Sequence, residues 1–205
     1  MNKQNDEGMP EIDTRDFEEG LQTFRSEQEV MYFPQRRPEF IKLVHRLILE
    51  LGLQNQIEYL DVRYPLGDGP EERAVMYRDE RTNPWPSKRM ILEIYGDRYM
   101  DERLLRHELG HEADRRNPDM HYEPAIEKRW AGRWELHLAM NISLDARLGE
   151  QGLGKEFRWE REFLPRVGAH YRSLFEEIWA SPPKTWPEME ALATYFTQLK
   201  TNCPS

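Results

Sequence analysis

One cysteine stands in the 205 residues, Cys203 near the end of the chain, and a lone thiol has no partner within it, so no disulfide framework can support the fold. Long apolar runs are also missing: none reaches the roughly 18 to 20 residues that span a bilayer. The opening MNKQNDEGMPEIDTRD has no apolar h-region of a signal peptide, and the expectation is a cytoplasmic protein without a membrane partner. Positive charge is in deficit, with 29 Lys and Arg against 38 Asp and Glu and a net charge of −9. Binding to phosphate backbones needs a basic face, so nucleic acid is not an expected partner. No internal repeat, phosphate loop or nucleotide signature occurs. The length suits one domain with a sizeable core, and two full domains would be crowded.

What the sequence does have is LLRHELGHEAD, residues 104 to 114. His107, Glu108 and His111 spell HExxH, the signature of zinc-dependent hydrolases. Residues four apart share a helix face, so the imidazoles of His107 and His111 can converge on one ion. Zinc takes neutral imidazole readily and, with one position left open, lowers the pKa of a bound water from about 15.7 to about 7. Glu108 then sits where a carboxylate can act as general base. Asp101 reads as the N-cap, Leu104, Leu105 and Leu109 as the apolar stripe, and Pro118 as the stop, so the motif is expected on a helix.

Residues 1–20 are polar and acidic and read as a flexible arm. Residues 21–37 stay unassigned, with Phe24, Val30, Tyr32 and Phe33 able to pack ahead of a break from Pro34 to Pro38. Pro38 then opens a helix in which Phe40, Val44, Leu47, Ile48 and Leu51 recur at helical spacing until Gly52. His45, inside that helix, has no partner at motif spacing and reads as a hydrogen-bonded structural histidine. Three β-rich runs follow: Ile57 to Tyr64, ended by Pro65, Gly67, Gly69 and Pro70; Arg73 to Arg78; and Met90 to Tyr95, ended by Gly96 and Asp97.

Catalytic zinc usually has three protein ligands plus water, so a third must come from downstream. His121 is a loop candidate. A long helix is expected from Pro124 to Gly149, and on it His137, Asn141 and Asp145 recur every four residues along an otherwise apolar stripe. Polar groups there need partners, since each one left unsatisfied costs about 1 to 3 kcal/mol. A metal site supplies them, and so does a hydrogen-bonded structural stripe. Further helices are expected around 155–163, 166–180 and 187–200, with Phe175, Ile178, Trp179, Met189, Leu192 and Tyr195 as apolar anchors. His170 and Tyr171 are candidate oxyanion donors or simply packed side chains.

The order of one helix, strands and then the HExxH helix resembles the zincin metallopeptidases over residues 38 to 150, with the five-residue motif as its specific element. The resemblance implies an α+β zincin-like domain: a helix, a small mixed sheet with an edge strand, the HExxH helix and a second helix that bears a ligand. It also implies that the strand just before the motif, Ile91 to Tyr95, is the edge beside the zinc and pairs with extended substrate, as open strand edges can. The metzincin continuation HExxHxxGxxH is absent, because Asp114 and Asn117 stand where its glycine and third histidine would be. The second helix looks like that of the gluzincin branch, in which a ligand glutamate is followed four residues later by an aspartate. Here the matching pair is Asn141 and Asp145. With an amide in the ligand's place, the resemblance implies Asp145 as the third ligand and Asn141 as its orienter, with Glu135, His137, His121 and Asp114 as alternatives.

The expectation is then a flexible arm over 1–20, a zincin-like catalytic domain over 21–150 and a helical C-terminal extension over 151–205 packed on it. Its activity is zinc-dependent hydrolysis of peptide bonds in a peptide or protein substrate, with Zn2+ held by His107, His111 and Asp145 and with Glu108 as base. Two other readings stay open: a regulatory module without hydrolysis on the same scaffold, and a narrow peptidase of the ImmA/IrrE type that cuts one regulator.

Overall fold

The computed structural model describes residues 9–24, 27–64, 74–78, 88–94 and 98–202. Cys203 and the turn residues Pro65, Gly67, Gly69, Pro70, Gly96 and Asp97 lie outside the described residues. The chain forms two compact units, Met1–Leu109 and Gly110–Ser205.

The first unit is α+β. Strand β1 (Glu11–Asp13) leads into α1 (Arg15–Phe24) and α2 (Glu27–Glu50), followed by β2 (Tyr59–Arg63), β3 (Ala74–Arg78) and β4 (Arg89–Ile94). The strands make one mixed sheet in the order β1-β2-β4-β3. β1 and β4 run parallel to β2, with Leu60 opposite Ile12 on one side and Met90 on the other, whereas β3 pairs antiparallel with β4. β4 is thus an interior strand, which corrects the expectation that Ile91 to Tyr95 forms the edge; β3 and β1 hold the edges. The reason shows in its sequence: Met90, Ile91, Leu92 and Ile94 are all buried, so apolar side chains are covered on both faces of the strand, with only the half-buried Glu93 among them.

The flexible arm is also corrected for residues 11 to 20. Ile12 and Phe17 are buried, and Phe17 packs edge-on against Phe33 and Tyr99 at centroid distances of 4.7 and 5.8 Å. Asp13 ties β1 to β2 by accepting a 2.7 Å hydrogen bond from Tyr59 Oη. Three polar-looking turns of sequence are therefore ordered by a few aromatic and hydrogen-bonded anchors. α2 runs unbroken through Pro34 and Pro38. A proline inside a helix costs about 3 kcal/mol in isolation. Here the helix also buries Phe33 and Phe40 against Tyr99, and this packing outweighs the local preference. His45 Nε2 lies 3.1 Å from the Pro10 carbonyl, the structural role expected for it.

Helix α3 (Glu102–Arg116) carries the motif, and the division between the units falls inside it. Beyond it the second unit is helical: α4 (Pro124–Arg129), α5 (Trp134–Leu148), α6 (Lys155–Arg158), a π-helical turn (Trp159–Phe163), α7 (Leu164–Val167), α8 (Arg172–Ala180) and α9 (Trp186–Asn202). The single long helix expected from Pro124 to Gly149 is two, because Gly132 takes a left-handed φ of 73° that breaks the run. Leu136, Leu138, Ala139 and Ile142 of α5, Phe163, Phe175 of α8, and Trp186, Met189 and Phe196 of α9 share one core. The C-terminal helices therefore pack around α5. No helix among the described residues is long and apolar enough to cross a membrane.

Candidate functional site

α3 forms where the sequence places its signals. Asp101 caps it, its Oδ1 accepting from Leu104 N–H at 3.1 Å, and Leu104, Leu105 and Leu109 are buried along one stripe. At the other end Asn117 caps the short turn of Pro118–Met120, accepting from Asp119 N–H at 3.0 Å. His107 and His111 stand one turn apart on this helix, 3% and 7% exposed, and Glu108 between them is half-buried. Buried imidazoles on a helix this rich in charge separate the motif from a surface helix with solvated histidines.

Of the charged residues around and after the second histidine, Glu112 and Asp114 are buried and Arg115 and Arg116 half-buried. Glu112 is fully enclosed and pairs with Arg116 at 2.5 Å and Arg115 at 3.4 Å, and Arg115 reaches on to Glu127 at 2.8 Å. Asp114 takes Arg147 of α5, with Nη1 2.9 Å from Oδ1. Paired in this way, Asp114 is a helix-to-helix tie. Glu135 faces Arg133 at 3.4 Å, and His121 sits on the surface in a left-handed conformation with φ of 52°. His137 is exposed, its ring 6.4 Å from that of His111.

The polar stripe of α5 divides into two environments. Asn141 points to α3: its Oδ1 lies 3.0 Å from His111 Nε2, and the residue is 2% exposed. Its amide nitrogen is taken by Glu162 in the π-helical turn, with Nδ2 donating to Oε2 at 2.9 Å and Oε1 at 3.2 Å. Asp145, expected as the third ligand, is placed differently. Its carboxylate is fully buried and bound to the guanidinium of Arg158, and its Oδ1 also accepts from Leu153 N–H at 3.2 Å. Arg158 in turn pairs with Glu162. A chain of contacts thus runs His111, Asn141, Glu162, Arg158, Asp145, all within the second unit.

Two glycines allow this closeness. A Cβ on Gly110, inside the motif, would stand 3.0 Å from Leu144 Cδ1 of α5, and one on Gly152 would stand 2.7 Å from Asp145 Oδ1. Arg158 and Glu162 were not legible as site residues. Their only trace is an arginine set among Phe157, Trp159 and Phe163, with a glutamate four positions on.

Among the described residues no group of three or more His, Cys, Asp and Glu is arranged to hold a metal ion. An amide oxygen is a further, weaker donor. Two donors on one tetrahedral zinc, each at about 2.0 to 2.2 Å, stand about 3.4 Å apart. The 3.0 Å between His111 Nε2 and Asn141 Oδ1 is a hydrogen-bond distance within about half an ångström of that spacing. His111 and the Asn141 amide oxygen are thus close to the spacing of two donors on one divalent cation, whereas the Asp145 carboxylate is already paired with Arg158. No family model, curated protein or solved structure matches the chain.

Proposed function

We propose that the chain is a zinc-dependent peptidase of zincin type, with His107 and His111 as imidazole ligands and Glu108 as general base. The observation that carries this reading is the burial of both motif histidines on a capped helix, with an oriented amide oxygen facing one of them. When bound, zinc supplies Lewis acidity and a lowered pKa for water. Glu108, adjacent to His107 and outside the ligand set, takes a proton from the attacking water and later returns it to the leaving amine. The mixed sheet that precedes α3 supports the zincin reading, and β3 at its edge supplies main-chain groups on which an extended peptide can pair.

The test is zinc content after dialysis together with cleavage of an unfolded protein such as casein. Stoichiometric zinc and chelator-sensitive cleavage are expected. Protein that takes up no zinc and cleaves nothing when zinc is added overturns the proposal, and zinc with cleavage of only one partner protein restricts it to a narrow peptidase. A non-catalytic module has one observation in its favour: the chain from His111 to Asp145 is satisfied by hydrogen bonds and ion pairs alone. It is separated by His111→Ala, which on that reading alters stability with no cleavage to lose.

A further inference from the structure

Glu162 and Arg158 belong to no motif, yet they decide which end of the Asn141 side chain faces His111. An asparagine amide has two nearly isosteric ends, an acceptor oxygen and a donor nitrogen, and its environment chooses between them. At Asn141 the choice is forced. Both oxygens of Glu162 lie within 3.2 Å of Nδ2, and a carboxylate accepts but cannot donate. The nitrogen must therefore point to Glu162, which leaves Oδ1 to face His111 Nε2 at 3.0 Å. Glu162 is itself held, because Arg158, 2% exposed, pairs with it and with the fully buried Asp145.

We infer that Glu162 is a positioning residue that makes Asn141 the third ligand, with Arg158 and Asp145 as its anchor; this rests on the zinc reading above. An amide oxygen is a weaker zinc ligand than a carboxylate, but its basicity rises when its N–H groups are bound to an anion. The negative charge that a carboxylate ligand would bring to position 141 stands one residue further out, on Glu162. The same arrangement explains why the position is an asparagine. An aspartate there would set two carboxylates at about hydrogen-bond distance, and like charges so close cannot both ionise freely. Asp145 keeps its place by ordering Arg158 rather than by reaching the ion.

The experiment is zinc affinity of the full chain, measured by competition with a chromophoric chelator, with circular dichroism as a check on folding. Glu162→Ala should bind zinc about 10 to 100 times more weakly, the usual cost of losing a group that orients a ligand. Glu162→Gln, whose oxygen still accepts from Asn141 but carries no charge, should lose less affinity than Glu162→Ala. A charge exchange gives an independent arm should Glu162→Ala fail to fold: Asn141→Asp with Glu162→Gln should bind about tenfold or more tightly than Asn141→Asp alone, because only the pair relieves the repulsion. Equal affinity for folded Glu162→Ala and the parent, or for the single and paired exchanges, overturns this inference and leaves the zinc reading standing. A parent protein that binds no zinc overturns both.

Discussion

Gly110 lies so close beneath Leu144 that a methyl group on it would stand 3.0 Å from Leu144 Cδ1 and 3.2 Å from Cδ2. A glycine inside a helix gives up about 1 kcal/mol relative to alanine, so its presence within HELGH needs a reason, and the approach of α5 supplies one. Leu144 is buried at 3% exposure. Gly110→Ala should therefore lose about 1 to 3 kcal/mol by overpacking, more than the helix gains from alanine. The expected readout is a melting temperature lower by a few degrees, at about 2 to 4 °C per kcal/mol for a chain of this size. An unchanged or raised melting temperature would show that α5 can give way.

Local signals of α3 were legible: the Asp101 cap, the leucine stripe and the stop at Pro118 all act within a turn or two of chain, while the Asn117 cap was not read. Three of the four strands, β2 to β4, were legible too, since period and turn residues mark them, whereas β1 was read as part of a flexible arm. What sequence could not supply was order in the sheet, because β4 skips over β3 to pair in parallel with β2, Arg89 lying opposite Tyr59, far back along the chain. α2 was misread for a related reason. Pro34 and Pro38 are strong local breakers, and only the burial of Phe33 and Phe40 against Tyr99, far along the chain, overrides them. In the site, the four-residue spacing of His137, Asn141 and Asp145 gave the stripe but not its division. Which polar group meets His111 depends on Arg158, thirteen residues beyond Asp145 and in no repeating pattern with it.

That buried pair has its own consequence. Arg158 and Asp145 are 2% and 0% exposed, and each neutralises a charge that water cannot reach. Removing one member strands the other, which typically costs 3 to 5 kcal/mol, about ten times what a surface pair is worth. Arg158→Met should shift the urea midpoint by an amount of that order, and Asp145→Asn with Arg158→Met should recover part of it. A double variant no more stable than Arg158→Met alone would mean that the arginine acts through Glu162 and not through Asp145.

The anchoring of β1 should be visible in acid. The Arg15 guanidinium, together with the hydroxyl of Tyr59, holds the Asp13 carboxyl well below the usual carboxylate range, against the opposing effect of its burial. A carboxyl lowered in the folded state binds its proton more readily when unfolded. Its stabilising share is therefore present above the ordinary value of about 3.9 and is lost as pH falls below it toward the folded value. Arg15 is 78% exposed, so salt screens the effect and its size is modest. Melting curves of the parent and Asp13→Asn should differ most near pH 7 and converge as the pH falls through 4 to 2. A gap that stays constant across that range would assign the difference to the Tyr59 hydrogen bond alone.

Glu108 allows the sharpest separation of chemistry from architecture. It stands between the two motif histidines in sequence, half-buried on a helix whose stripe and caps do not involve it. Glu108→Gln keeps the size and shape of the side chain and removes only its ability to take a proton. General-base catalysis is worth about 10² to 10⁴ in rate, so turnover should fall by at least 10²-fold. Zinc affinity should change little, because the proposed ligands are His107, His111 and Asn141. Steady-state cleavage and chelator competition on the same preparation check both halves. Undiminished turnover in Glu108→Gln removes the glutamate from the mechanism, and lost zinc with a retained fold would place it among the ligands.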